Sequence, residues 1–232
     1  MNRLLATIKG QEIYQNGIDN SISFVSGLCV DADGSPRAYG PNDSGLDLTI
    51  EAGHPGNWWG ILTDSHGNPI IQGASDPHPG FYISSTSYQN RQFPVNDPRR
   101  YLDAEQVPFV VIPGIVARQC AGVALGCLVV VTNIKTGDRE NGVCGDTGPS
   151  SSMGEAAMKM VSMLGYNNSP RDGGCSDQIF RYTFYPGQAA PGYELQRLDG
   201  SVVSPNQVAT TATPPPATGL VITPEFGPSQ TV

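Results

Sequence analysis

The segment Gly142-Val143-Cys144-Gly145-Asp146-Thr147-Gly148-Pro149, followed by Met153-Gly154-Glu155, decides how the rest of the chain is read. A run of apolar and β-branched residues, Leu128 to Thr132, precedes it, and a helix-like segment, Ala156 to Leu164, follows it. The glycines and the proline mark a connection, so Asp146 and Glu155 are expected at the two ends of a turn between a strand and a helix. Loops held by rigid elements are where catalytic groups tend to be placed, and two carboxylates in one cleft are the minimum equipment for acid–base hydrolysis of a glycosidic bond. The competing reading is purely structural. It makes Asp146 a turn former and puts Glu155 in the first turn of a helix, where a negative charge is favoured.

Outward from this segment the chain reads as many short strands and little helix. Residues 1–20 alternate weakly around Leu4, Ala6, Ile8 and Ile13, which predicts one or two short strands. Ser21–Val30, Val107–Ile112, Leu125–Thr132, Asn141–Cys144 and Gln178–Tyr185 read as strands, and Phe81–Ser87 does so by β-propensity. Trp58 to Leu62 reads as a strand start, His66-Gly67-Asn68-Pro69 as a hairpin turn, and Leu48–Ala52 as a short helix. Asp31-Ala32-Asp33-Gly34-Ser35-Pro36 is an acidic turn that lacks the closing glutamate of a calcium loop. The helical period is clear in Gly154–Leu164, where Ala157, Met160, Val161 and Leu164 recur at i, i+3, i+4 and i+7, with Gly165 as the stop. This pattern predicts a mainly β, barrel-like domain with one or two helices over residues 1–200. From 201 to 232 a Pro/Thr-rich tail favours extended, solvated chain.

Composition narrows the function. The chain has 232 residues with a formal net charge of −8, which argues against nucleic acid as a partner, since phosphate binding needs clustered Lys and Arg. An acidic surface instead suits a cationic ligand such as an amino-sugar polymer. No apolar run approaches the roughly 18–20 residues of a membrane span. The five cysteines form no CxxC pair and the three histidines lack zinc-ligand spacing, so no metal and no cofactor are expected. Cys120 with Cys127, and Cys144 with Cys175, could form disulfides, which would place the protein in an oxidising compartment.

Several segments, in order across roughly residues 24–190, together resemble the fungal-type chitosanases of glycoside hydrolase family 75. They are Val30-Asp31-Ala32-Asp33-Gly34, Ala38-Tyr39-Gly40-Pro41, Gly45-Leu46-Asp47, Asp76-Pro77-His78-Pro79-Gly80 with Phe81 to Thr86, Tyr101-Leu102-Asp103, Val107 to Pro113, Gly145-Asp146-Thr147-Gly148-Pro149, Met153-Gly154-Glu155 and Tyr185-Pro186-Gly187. The resemblance implies a double-psi β-barrel and an endo-acting, inverting hydrolase of β-1,4-linked glucosamine polymers. It implies that Asp146 and Glu155 are the catalytic pair. Glu155 is expected as general acid and Asp146 as general base, although a helix N-terminus at Glu155 would oppose its protonation. Asp31, Asp33, Asp47 and Asp103 are candidate partners for glucosamine ammonium groups. Tyr39 and Tyr101, with Trp58, Trp59 and Tyr82, are candidate stacking platforms.

The expected partner is therefore a polysaccharide, the expected state a monomer, and the expected location extracellular or periplasmic. The start Met1-Asn2-Arg3-Leu4-Leu5-Ala6 is interrupted by Lys9 and Glu12 before it could serve as a cleavable signal. Two other readings stand beside this one. The same carboxylates could act on peptidoglycan, as in an antibacterial effector or phage-type lysin, or the domain could bind carbohydrate without catalysis.

Overall fold

The computed structural model describes residues 2–119, 125–198 and 201–203. Its elements, in order, are β1 (Arg3–Ile8), β2 (Gln11–Gln15), β3 (Ile22–Asp31), β4 (Gly53–His54), β5 (Asn57–Trp58), β6 (Phe109–Pro113), α1 (Gly114–Gln119), β7 (Cys127–Asn133), β8 (Arg139–Gly148), β9 (Glu155–Ala157), α2 (Met158–Met163) and β10 (Cys175–Ala189). Three 3₁₀ turns, Pro41–Asp43, Thr49–Ala52 and Pro98–Arg100, punctuate the long connection from β3 to β6.

Strands run in the order β1-β2-β3-β10-β7-β8-β6-β9, and β9 pairs back onto β3. The six strands from β3 to β9 thus close a barrel, the mainly β architecture with two short helices expected above. Two seams are parallel, β6 with β8 and β3 with β9, and the others are antiparallel. The β1–β2 hairpin extends the sheet beyond the ring. Its turn residues Lys9 and Gly10 both have positive φ (48° and 82°), as a two-residue turn matching the twist of the strands requires.

The barrel closes because its strands carry enough apolar side chains to fill it. All five residues of β6 are buried, as expected for a continuous apolar run. Along β3, Ile22, Phe24 and Ser26 alternate inward, and the Phe24 ring stacks on Tyr182 of β10 at 5.1 Å. Val129, Val131, Val143, Phe180 and Phe184 complete the same core. Tyr182 is fully buried, and its hydroxyl donates to the carbonyls of Gly27 (2.9 Å) and Gly154 (3.0 Å). That phenol ties β3 to the residue just before Glu155.

Several expectations need correction. The helix predicted from Gly154 spans only Met158–Met163, and Glu155–Ala157 is a strand. Ala156 pairs with Val30 of β3 on one side and Val110 of β6 on the other. Closing the ring with these residues overrides the local helical period. Gly165 does end the helix, with φ of 81°. β8 runs on from the predicted Asn141–Cys144 to Gly148, so Asp146 lies within a strand instead of in a turn. Phe81–Ser87 forms isolated bridges through Tyr82 and Ser84, not a continuous strand.

Cys127, Cys144, Cys29 and Cys175 are free thiols. Cys144 faces the core and is hydrogen-bonded to Cys127, while Cys175 pairs in register with Leu28, so the proposed Cys144–Cys175 bridge is not formed. Cys120 lies outside the described residues, as does the tail beyond residue 203. Among the described residues no helix is long and apolar enough to cross a membrane.

Replacing Tyr182 by Phe removes two buried hydrogen bonds and leaves the apolar packing in place. The variant should lose about 1–3 kcal/mol of stability, read as a lower urea midpoint with an unchanged slope.

Candidate active site

Asp146 projects from β8 at a position paired with Val111 of β6. The β6–β8 register shifts just before it, at Gly145. A Cβ on Gly145 would lie 2.6 Å from the Cβ of Phe109 and 2.7 Å from Leu102 Cδ1, so this position accepts only glycine without rearrangement. The buried Asp146 carboxylate takes three hydrogen bonds on Oδ1: from Ser87 N (3.0 Å), Ser87 Oγ (2.5 Å) and Thr147 N (2.6 Å). All three donors are neutral, and hydrogen bonds of this kind favour the ionised form.

The end of β3 delivers Asp31, and the following turn delivers Asp33. The turn is closed by Asp33 N donating to Asp31 Oδ1 (2.8 Å) and by Ser35 N donating to the carbonyl of Ala32. Gly34 follows with φ of +78°, where a Cβ would sit 1.9 Å from the Leu102 carbonyl oxygen. Asp33 Oδ1 accepts from Tyr39 Oη (2.8 Å) and Ser84 Oγ (3.2 Å). One carboxylate oxygen from each of Asp31, Asp33 and Asp146 lies within 4.8 Å of the other two.

Glu155 opens β9, opposite Cys29 of β3, so it shares a face with Cys29 and with Asp31 two residues further on. Ser152 Oγ donates to its Oε1 (3.0 Å). Its Oε2 lies 2.9 Å from where a Cβ on Gly148 would be, so the missing side chain of Gly148 is the space this carboxylate occupies. Gly148 and Asp146 stand two apart in β8 on one face of the strand, a repeat of about 7 Å. Glu155 is near enough to Asp146 for its charge to raise the Asp146 pKa. Gly154, at φ of +90°, brings the chain against Ser26 and the Gly27 carbonyl, and its own carbonyl accepts from Cys29 N (2.7 Å).

Burial and mutual charge raise the proton affinity of Asp31, Asp33 and Asp146. Burial, followed by the charge of Asp146, pushes Asp33 up to about 8 despite the hydrogen bonds from Tyr39 and Ser84. Burial also lifts Asp31 well above the usual carboxylate range, with Asp33 and Asp146 adding to the effect. Asp146 is pushed up to about 6 by burial, with Ser87 and Thr147 pulling it down and Glu155 pushing it up. Asp31, Asp33 and Asp146 have the mutual spacing of ligands for a hard cation. Each of the three, however, already spends one oxygen on protein hydrogen bonds.

The other candidates named from the sequence are not gathered into this cluster. Tyr39 is 2 % exposed and acts on the site only through its hydrogen bond to Asp33. Asp47 is buried and accepts from Leu48 N (2.7 Å), and burial raises its pKa. Tyr101 is buried with its hydroxyl on the Val95 carbonyl. Asp103 closes a turn by accepting from Glu105 N (2.9 Å), next to the Arg37–Glu105 ion pair. The cluster's neutral donors, Ser84, Ser87, Thr147 and Ser152, were not singled out from the sequence. The polar run Ser84-Ser85-Thr86-Ser87 inside an apparent strand is the signal that points to two of them.

An acid with a raised pKa in the fold stabilises it below the ordinary carboxylate pKa of about 4, and that contribution is lost as pH rises through the folded value. For Asp33 the window runs from about 4 to about 8. The protein should therefore melt at a lower temperature at pH 8.5 than at pH 5. Asp33→Asn, which keeps an acceptor for Tyr39, should show a smaller drop between the same two pH values by calorimetry. Neither a comparison with protein-family models nor a search of curated proteins yields a match for this chain.

Proposed function

We propose that this chain is an inverting glycoside hydrolase that cleaves β-1,4 bonds in glucosamine-containing polysaccharide. The observation that carries the reading is the placing of Glu155 over Gly148, two residues along β8 from Asp146. Inversion needs the two carboxyl groups held apart, at roughly 6.5–9.5 Å, so that a water molecule fits between base and sugar, and acids carried by separate strands, with Glu155 filling the space beside Gly148, suit that arrangement. The ordered motifs from Asp31 to Gly187 support the same class and carry the endo-acting part of the reading.

In this mechanism the carboxyl group of Glu155 gives its proton to the glycosidic oxygen as the bond to the anomeric carbon breaks. Asp146, held as an anion by Ser87 and Thr147, accepts a proton from the water that attacks the opposite face. The product forms with inverted anomeric configuration. Glu155 begins a strand, so the helix terminus expected to oppose its protonation does not start there. Asp31 and Asp33 place two further carboxyl groups beside the pair, and an arriving ammonium group would favour their ionised forms, which suits an amino sugar better than the N-acetylated, lactyl-substituted glycan of peptidoglycan.

Incubation with chitosan and, separately, with peptidoglycan sacculi should release glucosamine oligomers from the first and nothing from the second, read by mass spectrometry. Proton NMR of the early products should show the α-anomer. Fragments from sacculi alone would transfer the reading to peptidoglycan, and binding of chitosan without new reducing ends would leave a carbohydrate-binding module. Glu155→Gln and Asp146→Asn should each remove turnover while leaving the melting transition cooperative. Gly148→Ala, which pushes a methyl group onto Glu155, should lower kcat about 100-fold.

The pH profile gives a second test. Asp146 must be ionised to act as the base, so kcat/KM should fall about tenfold per unit below pH of about 6. Ser87→Ala removes the hydroxyl hydrogen bond, the largest of the contacts that pull this pKa down, and keeps the backbone amide bond. Its acid limb should therefore move to higher pH.

A further inference from the structure

Trp59 is 59 % exposed, yet its position is fixed from two sides. Its indole Nε1 donates to the Glu51 carbonyl (2.9 Å) and its backbone amide to the Ala52 carbonyl (3.0 Å). The His54 ring stands edge-on to the indole at 6.3 Å. An ordinary surface tryptophan costs exposed apolar area and side-chain order with no return in packing. This one is pre-ordered by the 3₁₀ turn Thr49–Ala52, with Ile50, also 59 % exposed, on the same turn.

Its place in the chain links it to the acidic cluster. The next residue, Gly60, lies directly on Asp33: a Cβ there would be 2.9 Å from Oδ1 and 3.2 Å from Oδ2. The Gly60 carbonyl accepts from Ser84 Oγ (2.9 Å), the hydroxyl that also donates to Asp33. The residue that follows the exposed indole thus packs against the Asp33 carboxylate. An exposed apolar plane in the stretch of chain next to a group of carboxyls matches a glucosamine unit, whose ring presents C–H groups on its faces and an ammonium group at its rim that would favour the ionised carboxylates.

From this juxtaposition we infer that Trp59 is a stacking subsite for a pyranose ring of an amino-sugar chain whose neighbouring units reach the Asp31–Asp33 carboxylates. The inference rests on the glycosidase reading and adds to it a binding platform on the β5 side of the cluster. Trp58, the only other tryptophan, has its indole nitrogen buried and so serves as an internal reference in fluorescence.

The test titrates glucosamine hexamer into Glu155→Gln protein, which cannot turn it over, and follows tryptophan emission and heat. Expected is a saturable change in emission that Trp59→Ala abolishes, with affinity for the hexamer falling about tenfold or more, and with Trp59→Phe recovering part of it. Cooperative melting of both variants at the parent temperature shows that the loss is local, and Trp59→Phe keeps the ring where alanine disturbs the turn. Unchanged hexamer affinity in a folded Trp59→Ala protein, alongside chitosan hydrolysis by the unmodified chain, overturns the subsite and leaves the enzyme reading standing. No hexamer binding and no chitosan hydrolysis by the unmodified chain overturns both.

Discussion

Ala156 forms strand pairs on both of its edges, with Val30 on one side and Val110 on the other, and the rest of the molecule depends on that double pairing. β9 is three residues long, but without it β3 and β6 would each present an open edge and the barrel would be a curled sheet. The same three residues set the chemistry. Because β3 and β9 are parallel, Glu155 enters opposite Cys29 and the strand leaves opposite Asp31, so two acids arrive on one face from strands whose backbones are already hydrogen-bonded. Asp146 comes from beyond β6, and the absent side chain at Gly148 lets Glu155 extend toward it. Closure of the ring and assembly of the carboxylates are one event.

The cost of that assembly is electrostatic. Asp31, Asp33 and Asp146 bring their oxygens within 4.8 Å while partly shielded from water, and like charges so placed cannot all ionise near neutrality. The protein answers with neutral donors in place of cations. Tyr39, Ser84, Ser87 and Thr147 supply the hydrogen bonds to Asp33 and Asp146, while Arg37 and Arg99 are engaged elsewhere with Glu105 and Asp97. An arginine in the cleft would favour the ionised form of the whole group. Neutral donors instead sort the acids by degree, holding Asp146 lower than Asp33.

Much of this was legible in the chain, and what was not has physical reasons. The apolar runs Val107–Ile112 and Leu125–Thr132 announce buried strands, and they appear as β6 and β7, which are covered along nearly all their length. Asp146 and Glu155 stand out because glycines surround them, and the glycines are there for space: Gly145 against Phe109, Gly148 against Glu155, Gly154 against Gly27. Local pattern failed at Glu155–Ala157, where alanine and glutamate suit a helix and only a partner strand some 125 residues away makes them extended. At Asp47 and Asp103 local pattern leaves two readings standing. An aspartate that caps a turn and one that faces a ligand have the same neighbours in sequence, and only the fold separates them. Serines such as Ser87 carry no periodic signal, since their role is one hydrogen bond to a residue remote in the chain.

Among the described residues the β1–β2 ribbon pairs with the ring where Gln15 and Tyr14 meet Ile22 and Ser23, and no strand pairs with the outer side of β1. Ring strands can open only by breaking two ladders at once, whereas β1 has one ladder to lose. Backbone amides of β1 will thus exchange with solvent deuterium through local fraying, and those of β6 only through opening of the whole barrel.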